Sequence, residues 1–282
     1  MNPGRTKNIH VKIGKNIVLG NNLPLVLIAG PDSIESEKHA LFMASSIKKI
    51  CEDLGVPFVF KASYDKANRT SVKSFRGVGL NKGLEILNKI RKNLNIAITT
   101  DVHTADEAKK AGRVVNLIQI PALLSRQTDL LVAAAKAGRA INIKKGQFIA
   151  PYNIDGPIGK VESGGNRNIL ITERGYVFGY NNVVVDMRGL EIMKRFGYPI
   201  VFDAAHTVQF PSGGGGVSGG DRDLIAPLAR AATAVGIAGI FMEVHDNPEK
   251  AYVDGPNSLS LGDLKNLLKK LKDIDNILKS VH

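Results

Sequence analysis

Several short apolar runs of this 282-residue chain end in a residue able to hold an anion, a metal or a proton. The run PFVFK ends at Lys61, and Lys66, Asn68, Arg69, Thr70 and Ser71 follow it on one segment. So many cations and hydrogen-bond donors in so few residues are costly to hold together unless they meet an anion. INIKKGQF repeats the theme with Lys144 and Lys145, one of which must face a site while the other pairs elsewhere. ITERG adds Arg174, whose guanidinium can grip a carboxylate or phosphate with two prongs, and Gln119 adds a neutral donor and acceptor. Gathered at one place, Lys61, Lys66, Lys144 and Arg174 suit a small ligand with more than one negative charge. A second set is acidic and imidazole-bearing: Asp32 in AGPDSIES, His206 three positions past Asp203, Glu243 in FMEVH, and Asp254 in YVDGPNS. One histidine with three carboxylates fits either a divalent metal site or a hydrogen-bonded polar cluster.

The elements that must position these residues are eight apolar runs: Leu25–Ala29, Pro57–Lys61, Ile96–Thr100, Asn116–Ile120, Ala140–Lys144, Asn168–Thr172, Pro199–Asp203 and Gly239–Glu243. Continuous apolar runs of this length read as strands buried on both faces, hence parallel. Helical patterns separate them, at roughly 35–54, 80–93, 104–111, 127–138, 155–164, 185–196, 220–236 and 260–279. Eight βα units close into an α/β TIM barrel, (β/α)8, with its chemistry at the C-terminal strand ends. Strands one, seven and eight adjoin where such a barrel closes, so Asp32, His206, Glu243 and Asp254 can converge. Residues 1–22 read as two alternating strands turning at Gly14-Lys15, a hairpin expected to plug the bottom of the barrel. Residues 210–220 are glycine-rich and expected to form a mobile loop over the site. The chain reads as a single domain spanning 1–282.

The formal charge is +12. The lysines scatter over helix faces with no basic arm or aromatic-basic stripe, so no nucleic acid partner is expected. No apolar run approaches the roughly 18 residues of a membrane span, and the N-terminus has no apolar signal core. With Cys51 the single cysteine, a reducing, cytoplasmic setting is the expectation. Gly216-Val-Ser218-Gly-Gly220 matches a G-x-S-x-G pattern, but no strand runs into it, so it is set aside as a nucleophile elbow.

KASYDKANRTS, IQIPALLSRQTD, INIKKGQF, TERG with FGYNNVVVDMR, and FDAAHTVQ together resemble the 3-deoxy-D-manno-octulosonate 8-phosphate synthase family, in register from about residue 24 onward. The resemblance implies condensation of phosphoenolpyruvate with arabinose 5-phosphate for lipopolysaccharide inner-core synthesis, in a homotetramer of barrels without an organic cofactor. It places Lys61, Ser63, Lys66, Gln119, Ala122, Lys144 and Arg174 around phosphoenolpyruvate. It places Asn68, Arg69, Thr70 and Asp101 on the sugar phosphate, with Arg126 reaching it from a neighbouring subunit, and Leu123 where the family usually carries Phe. Asp32, His206, Glu243 and Asp254 match its metal positions, with Lys66, Lys144, Asp32, His206 and Asp254 as the groups bearing on catalysis. Asp32 departs from the family, which has Cys in its metal-requiring branch and Asn in its metal-free branch. Carboxylate for thiolate would shift preference among Mn, Mg, Fe and Zn toward the harder ions; alternatively Asp32 mimics Asn and no metal is used. Two other readings stand beside this one: the related 3-deoxy-D-arabino-heptulosonate 7-phosphate synthase, which takes erythrose 4-phosphate and whose phosphate loop looks like KPRT, and a non-catalytic phosphosugar-binding protein.

Overall fold

The computed structural model describes residues 8–69, 71–211 and 219–280. Eight strands form the barrel: β1 (Val26–Gly30), β2 (Phe58–Lys61), β3 (Ala97–Asp101), β4 (Leu117–Ile120), β5 (Ala140–Lys144), β6 (Ile169–Glu173), β7 (Ile200–Asp203) and β8 (Gly239–His245). Each pairs in parallel with the next, and β8 pairs with β1 through Gly239↔Val26 to Glu243↔Gly30, which closes the ring. Eight helices surround it: α1 (Glu37–Leu54), α2 (Leu80–Leu94), α3 (Ala105–Ala111), α4 (Thr128–Lys136), α5 (Asp155–Ser163), α6 (Met187–Lys194), α7 (Ile225–Val235) and α8 (Leu261–Lys279).

The two-residue period of the strands divides the core in two. Outward residues such as Leu27, Phe60, Ile118, Ile141 and Phe202 pack with the helices in one large cluster. Inward residues Val26, Ile28, Val59, Leu117, Ala140, Leu170, Val201 and Phe241 form a separate inner cluster. Its lower side is sealed by Val11, Ile13 and Leu19. These come from the hairpin Val11–Ile13 with Ile17–Leu19, so the N-terminal segment does plug the barrel bottom. Two residues up from Val59, Leu117, Val201 and Phe241 the same inward direction falls on Lys61, Gln119, Asp203 and Glu243, and four up from Ala140 it falls on Lys144. An apolar floor therefore carries a polar mouth.

Local signals fix the helix that leads out of β1. Ser36 accepts a hydrogen bond from the His39 amide at 3.1 Å, capping α1. Gly55, at φ 63°, ends it in the left-handed conformation. At the mouth end of β1, Gly30 must be glycine, because a Cβ there would lie 2.0 Å from the Lys61 carbonyl oxygen.

Some expectations shift. α7 starts at Ile225, after a 3-10 turn at Arg222–Leu224, instead of near 220. α6 spans Met187–Lys194, less than the expected 185–196. Small pairings were not anticipated: Tyr176–Val177 with Val183–Val184, Gln209–Phe210 with Gly219–Gly220, and Leu259–Ser260 added to the end of β8. Of the glycine-rich segment, 212–218 lie outside the described residues, and so does most of the G-x-S-x-G pattern. Among the described residues, no helix is long and apolar enough to cross a membrane.

Candidate active site

The mouth holds a cavity of about 220 Å³ lined by Lys61, Lys66, Asn68, Asp101, Gln119, Ala122, Lys144, Arg174, Asp203 and His206, among others. All four cations singled out in the sequence thus reach one space. Lys61, Gln119, Lys144 and Arg174 are buried there, and Asn68 stands exposed at the rim.

Carboxylates accompany the cations. Lys61 Nζ donates to Glu243 Oε1 at 2.9 Å and to the Asp32 carbonyl at 3.0 Å. Burial works against its charge, but Glu243 and Asp32 overcome that and hold its pKa above the ordinary lysine value. Lys66 Nζ pairs with Asp32 Oδ1. Burial opposes ionisation of Asp32, yet Lys66 and Lys61 hold it well below the usual carboxylate range. Lys144 Nζ pairs with Asp203 and sits 3.4 Å from the Phe241 ring centroid. Here burial wins and lowers the lysine to about 8. Asp203 also receives the His206 ring Nδ1 at 2.8 Å and the His206 amide at 2.9 Å, which fixes the imidazole and points Nε2 toward Asp254 Oδ2, 3.7 Å away.

The neighbour of Lys144 takes the opposite course. Lys145 is fully buried outside the barrel wall, 3.4 Å from Glu173 and 3.5 Å from the centroid of the Tyr176 ring, and it donates to the Gly146, Ile149 and Gly175 carbonyls. Only Lys144 faces the cavity.

Ser63 and Asp101 meet at 2.5 Å, and Asp101 also faces His103 Nε2 at 3.3 Å. Arg174 Nη2 donates to Gln209 at 3.0 Å, and Gln209 donates to Asp254 at 3.2 Å. Buried Arg174 Nη1 has no protein partner, so a donor is left for a ligand. Arg69 reaches Asp254 at 3.8 Å. Thr70 lies outside the described residues. Arg126 is exposed and does not line this cavity. Sequence reasoning missed His103, Gln147 and Gln209. The first had a signal, since His103 and Glu107 sit one helical turn apart beside a strand tip and meet at 3.0 Å.

The acidic set converges in part. Ligand atoms of Asp32, His206 and Asp254 lie within 4.8 Å of one another. Glu243 falls outside that triplet; its Oε1 accepts from Lys61 and its Oε2 is buried without a partner. Buried Asp32 Oδ2 has no hydrogen-bond partner. Burial raises Asp254 and pushes Glu243 up to about 7, in each case with Asp32 adding to the effect. A free oxygen on Asp32, a neighbouring imidazole and an Asp254 carboxyl held up by burial and by Asp32 fit a divalent cation held by Asp32, His206 and Asp254.

Fold and mouth together define a barrel enzyme that acts on small, multiply anionic substrates. The model of the DAHP synthetase I family matches residues 8–280. A 2-dehydro-3-deoxyphosphooctonate aldolase of Geotalea daltonii is 56% identical over 264 residues, covering 94% of this chain and 97% of that protein. Those of Geotalea uraniireducens and Geobacter sulfurreducens are 55% and 54% identical over the same shares. The chain belongs to the DAHP synthetase I family, and within it to the group of the 2-dehydro-3-deoxyphosphooctonate aldolases.

Proposed function

We propose that this chain condenses phosphoenolpyruvate with arabinose 5-phosphate and water, giving 3-deoxy-D-manno-octulosonate 8-phosphate and inorganic phosphate. The observation that carries the reading is the meeting of Lys61, Lys66, Lys144 and Arg174 on one cavity, in a chain more than half identical to aldolases of that name. Lys66, Lys144 and Arg174 bind the carboxylate and phosphate of phosphoenolpyruvate, with Lys61, Ser63, Gln119 and Ala122 completing its cradle. Asn68, Arg69, Thr70 and Asp101 hold the sugar phosphate, joined by Arg126 of a second copy in a homotetramer. Holding both reactants turns a bimolecular encounter into an oriented one.

The new bond forms between C3 of phosphoenolpyruvate and the aldehyde carbon, whose oxygen takes a proton. Water adds at C2, losing a proton, and the C2–O bond to phosphate then breaks as the new C2 hydroxyl gives its proton to the departing phosphate, leaving the C2 ketone. His206, fixed by Asp203, and Asp254, raised by burial, stand as neighbours able to carry protons. Alternatively Asp32, His206 and Asp254 would give their lone pairs to a divalent cation in place of protons, and the ion would supply Lewis acidity at this end of the cavity. The pathway served is lipopolysaccharide inner-core synthesis.

The test follows phosphate release from the two substrates. Lys66→Ala should abolish turnover with unchanged circular dichroism; near-normal turnover would remove its assigned role. A chelator followed by Mn²⁺ separates the metal-dependent from the metal-free form of the proposal.

A further inference from the structure

Behind the mouth, outside the barrel, a second group of metal-ligating side chains joins the start of α1 to the end of β8. Ligand atoms of Glu35, His39 and His245 lie within 4.8 Å of one another. The two imidazole rings face each other with centroids 4.7 Å apart.

One carboxylate hydrogen-bonds the His39 ring and stands beside the His245 ring. Asp246 Oδ1 lies 3.0 Å from His39 Nε2 and 3.1 Å from His245 Nδ1. With its proton on Nε2, His39 presents the Nδ1 lone pair toward Glu35, while His245 Nδ1 accepts the Asn247 amide at 3.0 Å and its Nε2 faces Glu35. His39 Nδ1 is buried and has no hydrogen-bond partner. It stands 3.9 Å from Glu35 Oε2, too far for a hydrogen bond. Metal–nitrogen and metal–oxygen bonds of about 2.0–2.2 Å each span such a gap. His245 Nε2 lies 3.3 Å from Glu35 Oε1, which also accepts the Tyr252 amide at 2.9 Å and is thereby held in place. The His245 side chain is 7% exposed, so little water remains to be lost from it on binding.

We infer that Glu35, His39 and His245 form a second metal site, taking a first-row divalent ion of the Zn²⁺ or Co²⁺ class with Asp246 as the carboxylate that orients both imidazoles. Two imidazoles and one carboxylate with an outer-shell carboxylate on the far ring nitrogens is a donor set suited to these ions. Binding selects the His245 tautomer with its Nδ1 proton on Asp246, in place of the 3.0 Å contact from the Asn247 amide. The site is structural in effect. Glu35 lies three residues past Asp32, and the 246–257 segment that follows His245 carries Asp254. An ion here ties together the two loops that supply carboxylates to the mouth, without touching the cavity.

The inference does not depend on a cation at the mouth, and the experiment keeps the two apart. Metal-stripped His206→Ala protein, in which the mouth triplet is broken, is titrated with Co²⁺. Binding is read by visible absorption and by metal content after gel filtration. One equivalent per chain is expected. Adding His39→Ala or Glu35→Gln removes it, and Asp246→Asn weakens it by about 10–100-fold. Circular dichroism melts confirm that each variant folds, and on the wild-type background the same two substitutions should each cost one equivalent. Equal Co²⁺ content with and without His39 and Glu35, or no bound Co²⁺ in the His206→Ala protein, overturns the site.

Discussion

Lys144 offers the sharpest handle on the mouth. It is buried against the Phe241 ring and lowered from 10.5 to about 8, chiefly by burial, with Asp203 pulling the other way. At about 1.4 kcal/mol per pKa unit, the site disfavours the lysine cation by roughly 3 kcal/mol. The sign follows directly. Below pH 8 the ammonium is charged and can bind the anion; above pH 8 it is neutral and that attraction disappears. Affinity of the free enzyme for phosphoenolpyruvate should be flat from pH 6.5 to 7.5, then fall by roughly tenfold per pH unit above about 8. Bound anion offsets the burial, so the corresponding limb in kcat should lie at higher pH than that in kcat/KM. Calorimetric titration with phosphoenolpyruvate across pH 6.5–9.5 measures the first, and steady-state phosphate release the second. Lys144→Arg keeps a charge throughout this range, so its binding curve should lose the limb even where its turnover is poor. A wild-type affinity unchanged to pH 9.5, or a limb that persists at the same pH in Lys144→Arg, would refute the reasoning.

Other perturbations act on parts of the same construction. Lys145→Met leaves Glu173 buried without its cation and should lower stability by about 3–5 kcal/mol in a denaturant melt; the further change Glu173→Gln should recover part of that loss. Gly30→Ala places a methyl 2.0 Å from the Lys61 carbonyl and should cost about 1–3 kcal/mol or more, with reduced phosphoenolpyruvate affinity because Lys61 is displaced. Asp32→Asn removes the charge shared by Lys66 and Lys61. Any Mn²⁺ bound at the mouth should be weakened by at least tenfold, seen by equilibrium dialysis with the chain's other metal content tracked separately.

Much of this arrangement was legible in the chain because the physics is local. A barrel strand is buried on both faces, so each is a continuous apolar run, and its last inward residue is the one that can be polar. That rule located Lys61, Gln119, Asp203, Glu243 and the Lys144–Lys145 pair. It could not choose between Lys144 and Lys145, since consecutive residues point to opposite faces and the register comes from pairing across the ring. Nor could it show that Lys61 would claim Glu243, because that contact joins residues 182 apart. Two-residue pairings such as Gln209–Phe210 with Gly219–Gly220 are too short to leave a periodic signal. Gln209, which links Arg174 to Asp254, was therefore hidden. His39 and His245 were hidden for a similar reason, each looking like an isolated histidine until the barrel closed β8 against β1.

The central claim is that the cationic mouth unites phosphoenolpyruvate with a five-carbon sugar phosphate. The direct measurement is phosphate release with arabinose 5-phosphate and, in parallel, with erythrose 4-phosphate, with mass spectrometry of each product. The account predicts rapid release and an eight-carbon sugar acid phosphate with the first acceptor, and little with the second. Preferential turnover of erythrose 4-phosphate, or binding of both arabinose 5-phosphate and phosphoenolpyruvate with no phosphate released, would contradict it.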